Sequence, residues 1–205
     1  TSMPVAQRKK PAMPEQPVLQ HSAPRNHGKR LVMVNGVPAS GKSHIATRLS
    51  TATGWPLLTL DQIKEPFMRQ IDGIDRPMNR KRGIAAYQVI WAIIAAAPAG
   101  NTFIVDAWFG FQPKADLAGF IETAGIDRIA EIWCQIPGEM AAQRYSSRLG
   151  ARLPGHPGAE YVAELQQLAD RAEPMQLGPV WVADQRSEID FNGLIHWTQE
   201  MVNQA

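Results

Sequence analysis

The chain has 205 residues, of which 44% are hydrophobic, and a formal net charge of +2. This size and composition suit one globular domain with a full core, and so small a positive excess gives little support for nucleic-acid binding. The single cysteine, Cys134, excludes a disulfide framework within the chain and favours a reducing compartment.

The first 28 residues hold five prolines and few apolar side chains. Such a composition cannot offset the entropy of ordering, so the sequence predicts a disordered proline-rich arm over residues 1–28. The arm lacks the apolar segment of a secretory signal, and the longest apolar run, residues 84–97, is too short to span a bilayer. We therefore expect a cytoplasmic protein with no membrane partner.

From Lys29 onward, short apolar runs alternate with segments of helical periodicity, which indicates one domain over residues 29–205. The predicted strands are residues 31–34, 57–60, 102–105, 129–136 and 180–182. The predicted helices are residues 42–53, 62–71, 82–97, 114–124, a helix opened by Pro137, 161–172 and 189–202. Strands alternating with helices predict an α/β fold in which helices cover both faces of a parallel sheet.

The first strand leads into a motif of the form G-x-x-x-x-G-K-[ST], which is typical of phosphate-binding loops. Its glycines let backbone N–H groups turn toward phosphates, and the helix that follows directs its partial positive charge at them. In such loops the lysine reaches the β and γ phosphates of ATP, and the hydroxyl residue binds Mg²⁺. An ordinary strand-to-helix turn is the alternative. The predicted nucleotide-binding residues are Gly36, Val37, Pro38, Ala39, Ser40, Gly41, Lys42, Ser43 and the adjacent His44.

Two aspartates follow predicted strands, Asp61 after the second and Asp106 after the third. Ligands of parallel sheets bind at the carboxyl ends of the strands. Asp61 could there accept the proton of an attacking hydroxyl and help to orient Mg²⁺, whereas Asp106 fits the Walker B pattern of an acid that holds Mg²⁺. The alternative for Asp61 is an N-cap of the helix from Gln62, and both roles can hold together.

Three arginines, Arg144, Arg148 and Arg152, precede a turn-forming segment, residues 154–158. A spacing of four residues places Arg144 and Arg148 on one face of a helix. We predict a mobile lid over about residues 144–158, in which arginines grip the transferring phosphate and closure excludes water. The alternative is a solvated helix face with ordinary ion pairs.

The phosphate-binding loop, residues 60–65 and the arginine run through Gly158 together resemble the small P-loop kinases. That group includes shikimate and gluconate kinases, chloramphenicol phosphotransferase and kinases labelled "AAA family ATPase", and the resemblance covers about residues 30–185. It implies a three-layer P-loop NTPase fold with a five-stranded parallel sheet of order 2-3-1-4-5. It also implies that ATP and Mg²⁺ are cofactors, that Asp61 faces the acceptor hydroxyl, that Arg144 and Arg148 belong to the lid, and that Asp184 lies near adenine.

The acceptor should lie over Asp61, where several basic residues and an aromatic segment, residues 107–111, surround it. A basic rim would favour an anionic acceptor, whereas the alternative is a solvated loop. At least one of the aromatic side chains could meet substrate. The basic residues are Lys64, Arg69, Arg76, Arg80, Lys81 and Arg82.

The sequence thus predicts an ATP-dependent kinase that moves the γ-phosphoryl group to a hydroxyl of a metabolite, a sugar or an antibiotic-like molecule. A GTPase is excluded because no guanine-reading Asn-Lys-x-Asp follows the fourth strand. A polynucleotide or nucleoside kinase and a non-catalytic nucleotide-binding module stay open as alternatives. Nucleic acid is not an expected partner, and the oligomeric state is open.

Overall fold

The computed structural model describes residues 28–71 and 73–204, so the predicted arm lies outside these ranges apart from Gly28. Within them the strands are β1 (Lys29–Asn35), β2 (Leu57–Thr59), β3 (Thr102–Ala107), β4 (Ile126–Gln135) and β5 (Val180–Asp184). The helices are α1 (Lys42–Thr53), α2 (Leu60–Gln70), α3 (Arg76–Ala96), α4 (Lys114–Thr123), α5 (Gly138–Ser146), α6 (Val162–Arg171) and α7 (Phe191–Asn203).

The five strands form one parallel sheet of order β2-β3-β1-β4-β5, which confirms the predicted topology. The central strand β1 pairs with β3 on one side and with β4 on the other, so Leu31 lies between Phe103 and Ile129. A strand covered on both faces must be apolar throughout, and Leu31 to Val34 are all fully buried. Because the strands are parallel, their carboxyl ends meet at a single edge.

Two apolar layers enclose the sheet and confirm the three-layer α/β architecture. On one face, α3 and α4 pack against Leu31, Met33 and Val105. On the other face, α1 and α7 pack against Val32 and Ile104. A third cluster joins α5 and α6 to the start of the phosphate-binding loop and consists of Val37, Ile136, Ala141, Tyr145 and Leu165. The loop is therefore held between the sheet and the two helices beyond β4.

Several helix boundaries differ from the predicted ones for local reasons. Helix α3 begins at Arg76 because the carboxylate of Asp75 accepts a 2.8 Å hydrogen bond from the backbone N–H of Met78, and because Pro77 suits a first turn. Helix α5 ends at Ser146, so Arg148 lies beyond it, and the prediction that Arg144 and Arg148 share a helical face is wrong. Among the described residues, no helix has both the length and the hydropathy needed to cross a bilayer.

Candidate active site

The loop between β1 and α1 forms a tight cradle at the carboxyl edge of the sheet. Gly41 has a φ of 84° at the N-cap of α1, and a Cβ there would lie 2.5 Å from Oε1 of Gln185. Ala39 also has a left-handed φ, of 66°. A residue other than glycine keeps this conformation only where the surrounding structure holds the loop in place. The buried hydroxyl of Ser40 has no hydrogen-bond partner in the described part of the chain. A narrow turn with an unused hydroxyl fits a phosphate-bearing ligand.

Lys42 and Ser43 open α1 from within this cradle. The ammonium of Lys42 lies back over the loop and donates a 2.9 Å hydrogen bond to the carbonyl of Val37. The hydroxyl of Ser43 donates a 2.7 Å hydrogen bond to Oδ2 of Asp106. The cradle therefore presents a cation and a hydroxyl side by side, as the motif predicts.

Asp106 is the penultimate residue of strand β3 and is only 3% exposed. Burial raises the pKa of its carboxyl group, and the charge of Lys42 and the hydrogen bond from Ser43 oppose that rise. The oxygens of Ser43 and Asp106 are ligands that Mg²⁺ prefers, so this pair fits the metal that the motif implies. Within residues 28–71 and 73–204, no group of three or more His, Cys, Asp or Glu side chains is arranged to hold a metal ion.

Asp61 lies in the first turn of α2 and forms an ion pair with Lys64, with 3.1 Å between Oδ1 and Nζ. The N-cap position of α2 is Thr59, so the alternative role of Asp61 as an N-cap is wrong. Withdrawal from water raises the pKa of Asp61, but the charge and hydrogen bond of Lys64, helped by His156 and Lys42, lower it by more. Asp61 is therefore a carboxylate at neutral pH, and the Lys64 side chain beside it is only 9% exposed.

The three arginines of the predicted lid lie in different environments. Arg144 donates a 3.1 Å hydrogen bond to Oε1 of Gln185, the residue against Gly41, so its guanidinium lies beside the cradle. Arg152 lies over the ring of Tyr145 at 4.7 Å and contacts Nδ1 of His156 at 3.0 Å. Arg148 is exposed, and its side chain makes no ion pair or hydrogen bond within the described ranges. The structure thus brings Arg144 to the cradle but leaves Arg148 at the surface.

His156 connects the lid to α2. Its ring is 4% exposed, and its Nε2 lies 3.7 Å from Oε1 of Glu65. Burial, together with the charges of Lys64 and Arg152, lowers the pKa of His156 to about 4, against the opposing effect of Asp61. The ring is neutral at physiological pH. Sequence reasoning placed His156 in a turn and missed this contact with α2, for which a single histidine gives no signal.

Two further predicted nucleotide-binding residues lie at the margin of the site. His44 is exposed and meets the ring of Phe191 edge-on, at 5.5 Å between centroids. Asp184, at the end of β5, accepts a 2.6 Å hydrogen bond from Arg186, whose guanidinium lowers the pKa of that carboxyl to about 2. Gln185, which belongs to the loop predicted to lie near adenine, faces Gly41 directly. The role of His44 in nucleotide binding and the position of Asp184 near adenine stay predictions.

Three solved structures resemble this chain at the level of the whole domain. A candidate kinase from Chloroflexus aurantiacus j-10-fl is 25% identical, with a TM-score of 0.71 over 87% of this chain and 100% of its own. Kti12 from Chaetomium thermophilum, in complex with ADP-AlF₃, is 15% identical, with a TM-score of 0.58 over 85% of this chain and 100% of its own. Deoxyadenosine kinase from M. mycoides is 16% identical, with a TM-score of 0.52 over 85% of this chain and 98% of its own.

No curated protein is significantly similar to this chain in sequence. The family model AAA_33, an AAA domain, matches residues 31–175, which contain the phosphate-binding loop, Asp61, Asp106 and the predicted lid. The resemblance to the P-loop kinases is confirmed by this match and by the candidate kinase of the same fold. The chain therefore belongs to the AAA_33 family and has the α/β fold of the P-loop kinases.

Proposed function

We propose that this protein is a kinase that uses ATP and Mg²⁺ to phosphorylate a hydroxyl of a small molecule. The observation that carries the proposal is the meeting of Lys42, Ser43, Asp61 and Asp106 at the carboxyl edge of the sheet. Ser43 and Asp106 are in direct contact, and Lys42 lies near enough to both aspartates to lower the pKa of each. A phosphate cradle, a metal-binding pair and a separate ionised carboxylate are the parts that phosphoryl transfer to an alcohol needs.

Each group has a distinct task in this proposal. The backbone N–H groups of the cradle and the start of α1 hold the phosphates, and Lys42 exchanges the carbonyl of Val37 for a phosphate oxygen. Ser43 and Asp106 would hold Mg²⁺, which when bound neutralises part of the phosphate charge. Asp61 orients the acceptor hydroxyl and accepts its proton. The new bond joins the acceptor oxygen to the γ-phosphorus, the bond to the β-phosphate oxygen breaks, and ADP leaves.

Only some of the basic residues predicted to surround the acceptor have a carboxylate partner, and those without one are the candidates for binding an anion. Arg80 and Lys81 are exposed, whereas Arg82 is partly buried. Three others already have carboxylate partners in the described structure. These pairs are Lys64 with Asp61, Arg69 with Glu65 and Arg76 with Glu164.

Arg82 is the cation best placed to bind the acceptor. Its Nη1 is buried without a hydrogen-bond partner among the described residues, and so is Oδ1 of Asn79, one turn earlier. Both lie on the same face of α3 as the buried Ala86. The far end of α3 lies at the opposite edge, where Ala95 accepts a hydrogen bond from Lys29 at the start of β1. The start of α3 is therefore at the carboxyl edge, and a partly buried guanidinium there favours a carboxylate or phosphate group on the acceptor.

The proposal is tested by measuring ADP release with matched neutral and anionic alcohols, such as glucose, gluconate and glucose 6-phosphate. We expect phosphorylated product only from small molecules, with anionic members preferred, and no product from the Lys42→Ala variant. Nucleosides and oligonucleotide 5′ ends belong in the same panel. Preferred transfer to oligonucleotide ends would favour a polynucleotide kinase, and ATP binding without transfer to any compound would favour a non-catalytic module.

The anionic acceptor is tested separately with Arg82→Gln. We expect the KM for an anionic acceptor to rise by about tenfold or more, with the KM for ATP unchanged, because one charge-assisted contact is lost. Lys81→Gln, which removes the adjacent exposed cation, is the matched control. Equal acceptor KM values in Arg82→Gln and the wild type would refute the role of Arg82 and leave the kinase proposal intact.

A further inference from the structure

Gly83 lies in the interior of α3, a 21-residue helix that runs unbroken from Arg76 to Ala96. A glycine inside a helix is less favourable than an alanine, because it loses more backbone entropy on folding. The backbone of Gly83 is helical and its φ is not positive, so the position accepts other residues without strain. Backbone geometry therefore gives no reason for glycine at this position.

Close packing gives no reason for Gly83 either. Beyond its own helix, no atom of the described residues lies within 4 Å of the position that a Cβ would take there. Gly138 shows the opposite case, because a Cβ at that position would collide with the backbone carbonyl of Gln166. A gap of 4 Å is about one van der Waals contact distance. Gly83 thus borders open space that an atom of a ligand can occupy.

The open space at Gly83 is on the inner side of α3. Tyr87, Ile90 and Ile94 follow Gly83 at intervals of three or four residues, so all four share one face of the helix. Those three side chains are at most 1% exposed. Gly83 itself is partly buried, whereas residues 84–85, which follow it, are exposed. The space therefore continues the buried face of α3 beyond the core.

Along the axis of α3, the space lies past the ends of the strands. The ring of Tyr87 meets that of Phe109 at 6.1 Å between centroids, and Phe109 follows the carboxyl end of β3. Gly83 is one turn, or about 6 Å, nearer the start of α3, which is at the carboxyl edge. Helix α2, which carries Asp61 in its first turn, packs beside α3. Gly83 is therefore at the same edge of the sheet as Asp61 and Asp106.

We propose that Gly83 determines which acceptors fit, because the carbon skeleton of the acceptor lies against it. This inference rests on the proposed kinase function and adds a substrate class, anionic alcohols of sugar size. Arg82, the cation assigned to the acceptor, is the preceding residue and binds the anionic group. A side chain at position 83 would take the place of the skeleton, so glycine serves the site although it makes α3 less stable.

The test compares acceptors that carry the same anionic group but differ in length. The pairs are glycerate with gluconate, and glycerol 3-phosphate with glucose 6-phosphate. Gly83→Leu should raise the KM for the six-carbon acceptors by about tenfold or more, because its side chain and the acceptor compete for one space. The KM for the three-carbon acceptors should change by less than about threefold. The KM for ATP should stay unchanged, because the phosphate cradle is untouched.

Gly83→Ala separates a role in specificity from a role in folding. Its methyl group meets no other segment, so the variant should have a Tm about 1–4 °C above that of the wild type. Its KM for the six-carbon acceptors should nevertheless rise. Gly119→Ala and Gly119→Leu are the matched controls, since Gly119 is inside α4, is exposed and has equally open surroundings. Gly119→Ala should raise Tm in the same way, and neither control should change any KM.

The outcomes distinguish this inference from the kinase proposal. If the wild type phosphorylates sugar-sized acceptors and Gly83→Leu has the same KM for them, the inference is wrong and the kinase proposal stands. An equal loss of kcat with acceptors of both lengths would also overturn the inference, because it would make Gly83 a hinge of α3. So would a wild type that uses only the three-carbon acceptors. If the wild type phosphorylates no small alcohol, the kinase proposal fails and this inference fails with it.

Discussion

The hydroxyl of Ser43 and Oδ2 of Asp106 are joined by a 2.7 Å hydrogen bond across 63 positions of sequence. The contact exists because β1 and β3 are neighbours in the sheet and Val34 pairs with Asp106. The first turn of α1 thus lies over the carboxyl end of β3. Parallel pairing of two strands brings two distant motif residues together as one candidate metal site.

Replacing Asp106 by asparagine tests this candidate metal site. We expect turnover to fall by about a hundredfold or more, because a ligand that helps to neutralise the phosphates is lost. Calorimetry should show that Mg²⁺ no longer tightens nucleotide binding, whereas binding without Mg²⁺ changes little. Ser43→Thr keeps a hydroxyl at the same place and should retain most of the activity. Wild-type dependence on Mg²⁺ in Asp106→Asn would contradict the assignment.

Replacing Asp61 by asparagine tests the proposed base. We expect kcat to fall by about a hundredfold with ATP affinity unchanged, because the acceptor hydroxyl loses its proton acceptor. The variant leaves Lys64 buried without a carboxylate, which also lowers stability. The double variant Asp61→Asn/Lys64→Met removes both charges and should recover stability but not turnover. Recovery of turnover in the double variant would show that Asp61 acts only by neutralising Lys64, and Gln62→Ala is the control for α2.

The sequence predicted the parts of this site that depend on local patterns. Helix α1 spans residues 42–53 as predicted, and Lys42 and Ser43 lie at its start. The motif predicts these positions because its glycines, the apolar strand before it and the start of the helix after it lie within a few residues and indicate the same structure. The alternation of strands and helices predicted a parallel sheet, and the resemblance predicted its order.

The errors arise where packing between distant segments decides the structure. Whether Asp61 follows a strand or lies within α2 depends on how far β2 pairs with β3. The helix and strand propensities of the residues do not determine the length of that pairing. The burial of Lys64 depends on the lid segment that brings His156 against α2. The early end of α5 after Ser146 separates Arg144 from Arg148, and no glycine or proline marks that point.

The buried ring of His156 predicts how stability depends on pH. Its pKa is about 4 in the folded protein and about 6.5 when unfolded, so the unfolded chain binds a proton first as pH falls. This group therefore contributes stability above pH 6.5 and loses it between pH 6.5 and pH 4, by about 3 kcal/mol in total. Urea unfolding at several pH values should show a shallower decline for His156→Gln. His196→Gln, at an exposed site, should match the wild type, and an unchanged decline in His156→Gln would refute the assignment.

The two lid arginines should differ in their importance for turnover. Arg144 lies beside the cradle through Gln185, so Arg144→Ala should lower kcat by about a hundredfold if its guanidinium stabilises the transferring phosphate. Arg148 is exposed and its side chain is unpaired in the described structure. Exposed charges usually contribute little, so Arg148→Ala should change kcat by less than about threefold. Single-turnover kinetics with saturating ATP measure both variants on the chemical step. A loss in Arg148→Ala equal to that in Arg144→Ala would show that lid closure brings Arg148 onto the phosphate, as its predicted catalytic role requires.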